Sequence, residues 1–213
     1  MSLSRMTFGL LVIFSCIIVQ KCKSHETRGY GGDGPPVQCN KIECPAFTII
    51  HSEKEFEIRN YSQALWVTAP SVVQYSIMGG IGIGEKILWD YFYRKNERNE
   101  NIINAGPLLM MDVVNSTYKV YLYVPNKYQN GGLPKPLIQD VEQVKLPKYK
   151  YAAVRRIDGE ITQEIVLAQV DLLKKQLKDT TTYKRAADND QFTYIMYDRR
   201  SWVEGYEILI WFN

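Results

Sequence analysis

The chain has 213 residues, with 26 Lys and Arg against 23 Asp and Glu and a formal charge of +3 at pH 7. Residues 1–24 carry three of the bases, Arg5, Lys21 and Lys23, and no acid, so the remainder is near neutral. That disfavours a nucleic-acid binder, whose affinity comes mainly from a basic surface. Hydrophobic residues at 46% and charged residues at 23% exclude wholesale disorder, and 2 His beside 15 Tyr exclude a catalytic apparatus built on several imidazoles.

The first 24 residues read as a secretory signal. Arg5 precedes an apolar run, Phe8–Val19, and a polar stretch follows with Cys22 and Ser24 at the −3 and −1 positions of a cut after Ser24. As a helix the run rises about 18 Å, too short for a hydrocarbon core of roughly 30 Å. No later apolar run approaches a membrane span, and the expected destination is the secretory pathway, extracellular or vacuolar. Residues 25–43 form a Gly- and Pro-rich leader, and the folded domain is expected over 44–213. Cys39 and Cys44 remain after cleavage. In an oxidising compartment such a pair reads as a disulfide, worth about 2 kcal/mol for so small a loop. A closed zinc site would want four ligands, which no His or Cys cluster supplies. The triplets at Asn60 and Asn115 are N-glycosylation acceptors once exported.

Taken in chain order, Phe47–Tyr61 predicts two short strands with a bend at Ser52-Glu53-Lys54, and Ala64–Thr68 a third before Pro70. Glu85–Lys95 predicts a helix, with Leu88, Tyr91 and Phe92 sharing a face with Ile81 and Gly84. The run GGIGIG before it argues for a late start or loose first turns, because each glycine costs roughly 1 kcal/mol inside a helix. It lacks the GxGxxG spacing of a dinucleotide loop. Leu108–Val114 and Tyr118–Val124 predict strands joined at Asn115-Ser116-Thr117, and Pro125–Pro136 a loop. Val141–Leu146 and Tyr149–Arg155 predict strands separated at Pro147. Thr162–Lys178 predicts a helix capped by Thr162, with Val166, Val170, Leu173 and Leu177 as its core stripe. Phe192–Tyr197 and Tyr206–Phe212 close the chain as strands. The order suggests an α+β fold of two similar halves, each ending in a Tyr-rich alternating strand.

Seven segments in order resemble the SOUL haem-binding protein family, in its exported, plant-type form. They are FEIRNY, LWDYFYRKN, IINAGPLL, YLYVPNKY, the run from LPKPLIQDV to RRIDGEIT, QFTYIMYD and YEILIWF. The resemblance implies a distorted antiparallel β-barrel with two flanking helices, built from two βαβββ-like halves. It also implies a non-enzymatic carrier or buffer that holds a b-type, non-covalent haem or another porphyrin in an apolar groove beside the first helix. Carried over by position, the cofactor-binding residues are Gly82, Glu85 and Trp89 on the helix, Leu108 and Leu109 on the next strand, and Tyr197 on the far side. Where the family brings a basic residue to the propionates, this chain has Gly82, Asp90 and the added carboxylate of Glu85. Arg199-Arg200 replaces a diproline and is a compensating source of charge.

His51 is the domain's one imidazole and a candidate axial ligand. Met110 or Met111 offers a thioether, Tyr197 a phenolate, and Trp89 a ring that could stack on a porphyrin face. No metal site and no Ser/His/Asp arrangement stands out. A second reading, from a different class, is a protein-interaction module that keeps the fold and has lost the tetrapyrrole.

Overall fold

The computed structural model describes residues 37–40, 42–102, 109–159, 161–197 and 205–213. The signal segment, most of the leader, Leu108 and Arg199-Arg200 lie outside these residues. Ten strands form one antiparallel sheet among them: β1 Phe47–Ser52, β2 Glu57–Tyr61, β3 Ala64–Thr68, β4 Val72–Val73, β5 Leu109–Val114, β6 Thr117–Tyr123, β7 Glu142–Leu146, β8 Tyr151–Ile157, β9 Phe192–Tyr197 and β10 Gly205–Phe212. Two helices interrupt them, α1 Ile77–Phe92 and α2 Gln163–Asp179. The α+β class and the distorted, curled barrel with two helices are therefore as expected. The two-residue β4, which pairs with β6, is too short for a sequence pattern to reveal.

Strand order is β1-β2-β8-β10-β9-β5-β6-β3-β7. The centre is the β9–β5 pair, where Leu109 faces Met196 and Val113 faces Phe192. Outward from it, one side runs β5-β6-β3-β7 and the other β9-β10-β8-β2. The first is a continuous strand-helix-strand-strand-strand unit, β3-α1-β5-β6-β7. The second is β8-α2-β9-β10, and its fourth strand is β2, from the start of the domain. Each half is thus completed at the position where the other begins or ends.

The curl gives the sheet two buried faces. On the convex side, α1 and α2 cover a core that includes Ile58, Val67, Leu109, Met111, Val120, Leu122, Ala153, Tyr194, Ile208 and Ile210. On the concave side, Tyr61, Trp66, Met110, Tyr121, Ala152, Val154, Ile195, Tyr197 and Leu209 pack together. The disulfide Cys39–Cys44, with Cα atoms 5.6 Å apart, packs against that inner cluster with the buried Ile42.

Helix α2 follows its sequence pattern. Thr162 Oγ1 accepts from the Ile165 amide at 3.3 Å, and Val166, Val170, Leu173 and Leu177 are the buried stripe. Helix α1 does not: it begins at Ile77, eight residues before the expected start, and runs straight through GGIGIG. Ser76 caps it, its Oγ accepting from the Gly79 amide at 3.0 Å. The reason is close packing, which outweighs propensity. Gly80 lies against the Tyr118 ring, and a Cβ built on Gly84 would stand 2.5 Å from Val120 Cγ2. The glycines let the helix approach β6 more closely than any side chain would permit. Its end is earlier than Lys95, because Arg94 takes φ 81° and the buried Asn96 turns the chain. Asn96 Nδ2 donates to the carbonyls of Tyr91 and Glu100, and its Oδ1 accepts from the amides of Arg98 and Glu100.

This packing gives opposite signs for two neighbouring glycines. Gly84→Ala should destabilise by about 1–3 kcal/mol, because overpacking exceeds the propensity gain. Gly82→Ala, where a Cβ meets nothing within 4 Å, should stabilise by up to about 1 kcal/mol. Urea unfolding of the two variants checks this, and equal effects would contradict it.

Candidate functional site

Helical spacing puts Met78, Gly82, Glu85, Trp89 and Tyr93 along one outer flank of α1. Three features make this flank unlike a solvated helix face. Met78 and Tyr93 are each 41% exposed, so sulfur and ring surface meet solvent. Gly82 leaves a gap between them with open space above it. Trp89 stacks on Tyr93 with centroids 4.9 Å apart and planes 19° apart, while its Nε1 donates to Glu85 Oε1 at 3.0 Å. The Glu85 carboxylate is thereby engaged by the indole.

The charges around the flank are largely committed. Asp90 pairs with Lys95 at 2.7 Å, and this hydrogen bond holds its carboxyl below the usual range. Lys86, three residues before Trp89, is exposed at the flank's border. Asn96 anchors the loop that follows Tyr93, and the Tyr91 hydroxyl donates to the Pro134 carbonyl at 2.5 Å. The Lys95 carbonyl accepts from the Leu137 amide, so the two loops form one support below the aromatic end of the helix.

The remaining expected site residues are distributed differently. Gly82, Glu85 and Trp89 are brought together. Leu109 is buried in the convex core, at the end of β5. Tyr197 lies on the opposite face of the sheet from Leu109, in the concave cluster. His51 stands in β1, its Nε2 2.8 Å from Glu53 Oε1 and its ring beside Phe56 and Tyr183. Tyr183 follows α2, so the imidazole belongs to the half of the sheet away from α1. Met110 and Met111 are both buried, on opposite faces. Asn115 sits exposed in the tight turn between β5 and β6 with φ 46°, whereas Asn60 lies within β2 opposite Thr48. Among the described residues no group of three or more His, Cys, Asp and Glu could hold a metal ion. None of the described helices is long and apolar enough to cross a membrane.

Tyr197 belongs to a buried ionic cluster that the sequence pattern concealed. Its hydroxyl donates to Glu207 Oε2 at 2.6 Å. Arg59, fully buried, forks onto Glu207 through Nη1 and Nη2 at 2.9 and 3.0 Å, and its Nε donates to Glu57 Oε2 at 2.7 Å. Arg59 Nη1 also donates to the Tyr61 hydroxyl, and Arg156 Nε donates to Glu207 Oε1 at 3.1 Å. Burial first, then the negative charge of Glu207, pushes the Tyr197 phenol well up, so it stays protonated and serves as a donor. A phenolate ligand is therefore not its resting form.

The profile of the SOUL heme-binding protein family matches residues 42–211, most of the chain, and the protein belongs to that family. No curated protein matches by sequence. A solved structure described as a hydrolase from Listeria innocua shares 7% identity at a TM-score of 0.41, covering 76% of this chain and 93% of that one. A likeness that weak carries no inference about activity.

The ionic cluster sets an acid limit on stability. Burial alone would raise the Glu207 pKa, but the attraction and hydrogen bonds of Arg59, with Tyr197 and Arg156, outweigh it and hold it below the usual range. The folded state then binds fewer protons than the unfolded one. This stabilisation is complete above the unfolded value of about 4.3 and is lost as pH falls through the lower folded value. Urea midpoints measured from pH 6 down to 2.5 should fall steeply at the acid end in the wild type and less steeply in Glu207→Gln. Arg59→Met, which leaves a buried acid short of its main partner, should cost about 3–5 kcal/mol at pH 7.

Proposed function

We propose that the protein is a non-enzymatic binder of haem or a related tetrapyrrole, acting as a carrier or buffer, and that the ligand lies on the outer flank of α1. The observation that carries this reading is the exposed apolar flank itself. Met78 and Tyr93 are exposed, the partly buried Trp89 stacks on Tyr93, and Gly82 leaves open space between Met78 and this aromatic pair. A large planar apolar ring gains most from such a face, because burial is proportional to apolar area and stacked rings add to it. Family membership supports the same ligand class. The tetrapyrrole would supply the iron or the chromophore, while the chain supplies the surface that keeps it from water.

The residues of the flank fit a ring face better than they fit its acidic edge. Glu85 is a carboxylate on the flank, and its repulsion of a propionate is on the order of 1 kcal/mol at close range in water. Its hydrogen bond to Trp89 draws it toward the helix, and Lys86 stands at the border for charge pairing. The flank holds no histidine, which favours apolar contact over strong axial ligation. Export through the secretory pathway, to the exterior or a vacuole, is part of the same proposal. In that setting Asn115, at an exposed turn, is the better of the two glycan acceptors.

A haemin titration of the purified protein, followed by difference absorbance, tests this reading. Saturation at one haemin per chain is expected, and Trp89→Ala should weaken it about tenfold. Gly82→Gln, which fills the open space without touching the core, should fold normally and also weaken binding. His51→Ala should leave the spectrum unchanged, given its place beside Tyr183. Linear, unsaturable absorbance would defeat the proposal. The chain would then be read as an interaction module, for which the Glu85 carboxylate on the flank is the motivating feature.

A further inference from the structure

The concave face holds a second cavity, of about 200 Å³, remote from the α1 flank. It opens between β7 on one side and β5, β9 and β10 on the other, and of the residues singled out from the sequence as candidate ligands Met110 lines it. At one water per roughly 30 Å³ it has room for about seven waters, far too little for a porphyrin. It is large enough for one substituted ring.

Its wall carries a built polar centre. Asp112 lies on β5, partly buried, facing into the cavity. Thr193 Oγ1 donates to Asp112 Oδ1 at 2.5 Å, and the Tyr121 hydroxyl donates to Asp112 Oδ2 at 2.9 Å. Trp211 Nε1 in turn donates to Thr193 Oγ1 at 2.8 Å. Each carboxylate oxygen therefore has one fixed donor and one lone-pair direction still available. Burial pushes the Asp112 carboxyl up, with the hydrogen bonds from Thr193 and Tyr121 and the charge of Lys119 opposing. A short, oriented carboxylate inside an aromatic cavity is a recognition point for an O–H or N–H donor.

The rest of the lining completes a ligand description. Trp211 and Tyr149 are stacked, with planes 19° apart, and form a flat aromatic side. Lys119 pairs with Asp112 across the β5–β6 ladder, and Lys148 is exposed at the rim. Two lysines against one aspartate leave the cavity with an excess positive charge. From this arrangement we infer that the cavity binds a small planar aromatic acid, its ring against Trp211 and Tyr149, its ring hydroxyl or N–H donating to Asp112, and its carboxylate toward the lysines. This site is separate from the tetrapyrrole flank and does not depend on it.

4-Hydroxycinnamate and 4-methoxycinnamate are suitable probes, alike in ring and carboxylate and different in the one donor. Titrations of the full protein, followed by ligand-observed saturation-transfer NMR, should show saturable binding of the hydroxy acid. The methoxy acid should bind about tenfold more weakly, as a site built to accept a hydrogen bond rejects the analogue lacking it. Asp112→Asn should remove that preference while unfolding at or above the wild-type temperature, since it relieves a buried charge. Lys148→Ala should weaken both acids by a similar factor. Protein presaturated with haemin should bind the hydroxy acid unchanged, so failure of the flank proposal and failure of this one are separately visible. If Asp112→Asn does not fold, the comparison of the two acids on wild type and Lys148→Ala still decides. No saturable binding, equal binding of the two acids to wild type, or displacement of the hydroxy acid by haemin would overturn the inference.

Discussion

The buried fork between Arg59 and Glu207 is the constraint on which the rest of the sheet depends. Arg59 is on β2 and Glu207 on β10, and β8 lies between them, so the contact spans a neighbour. Arg156 on β8 and Tyr197 on β9 close onto the same carboxylate. Four adjacent strands are thereby fixed in register at one point on the concave face. Two arginines and two glutamates balance in charge, which is the condition for keeping ions in a low-dielectric interior. Apolar residues of equal volume often give as much stability, but they would tolerate a slip that this cluster does not. A one-residue shift of β2 would turn Arg59 out of the cluster and leave the buried Glu207 without its two-pronged partner.

Because β2 comes from the start of the domain yet completes the second half, the cluster also ties the two ends of the fold together. The matching join in the first half is a strand ladder: β7 pairs with β3 from Ala64–Leu146 to Thr68–Glu142. The two ends of the concave face consequently differ. One is filled by ions and tyrosines around Glu207. The other, around Asp112 and Trp211, leaves space. Binding capacity and register control are thus divided between the ends of a single barrel interior, while the convex side is given to the helices and to the exposed flank of α1.

Much of this was legible in the sequence. The periodicity of Thr162–Lys178 places α2 and its stripe within a residue, because an amphipathic helix with a good cap announces itself locally. The Tyr-rich alternation of the strands gives their positions, and the family resemblance points to Gly82, Glu85 and Trp89, which the early start of α1 puts on one helix flank. What alternation cannot give is which face is inside when both are. In β9 all six residues are buried, and in β2 the charged Glu57 and Arg59 are as buried as Ile58 between them. The usual rule sends charged strand positions to water. It fails here because Glu207, 148 residues away in sequence, satisfies Arg59, and Arg59 satisfies Glu57. The Asp112 centre was hidden for the same reason, since its two donors, Tyr121 and Thr193, come from two other strands, β6 and β9.

The glycine run before Trp89 shows how a local penalty can be outweighed by a distant gain. Each glycine in GGIGIG argues against helix, and the sum of roughly 1 kcal/mol apiece argues strongly. The run is helical because Gly80 and Gly84 admit the Tyr118 ring and the Val120 methyls, bringing the whole of Ile77, Ile81, Leu88 and Phe92 into contact with the sheet. Burial of a large apolar side chain contributes about 1.5–3 kcal/mol, so four of them exceed the propensity cost. The same spacing leaves Gly82 on the far side, where nothing packs. One glycine pair sets the depth of the helix on the sheet, and the glycine between them shapes the outer surface. The closeness of α1 to β6 and the openness of its outer flank are therefore two consequences of one short sequence.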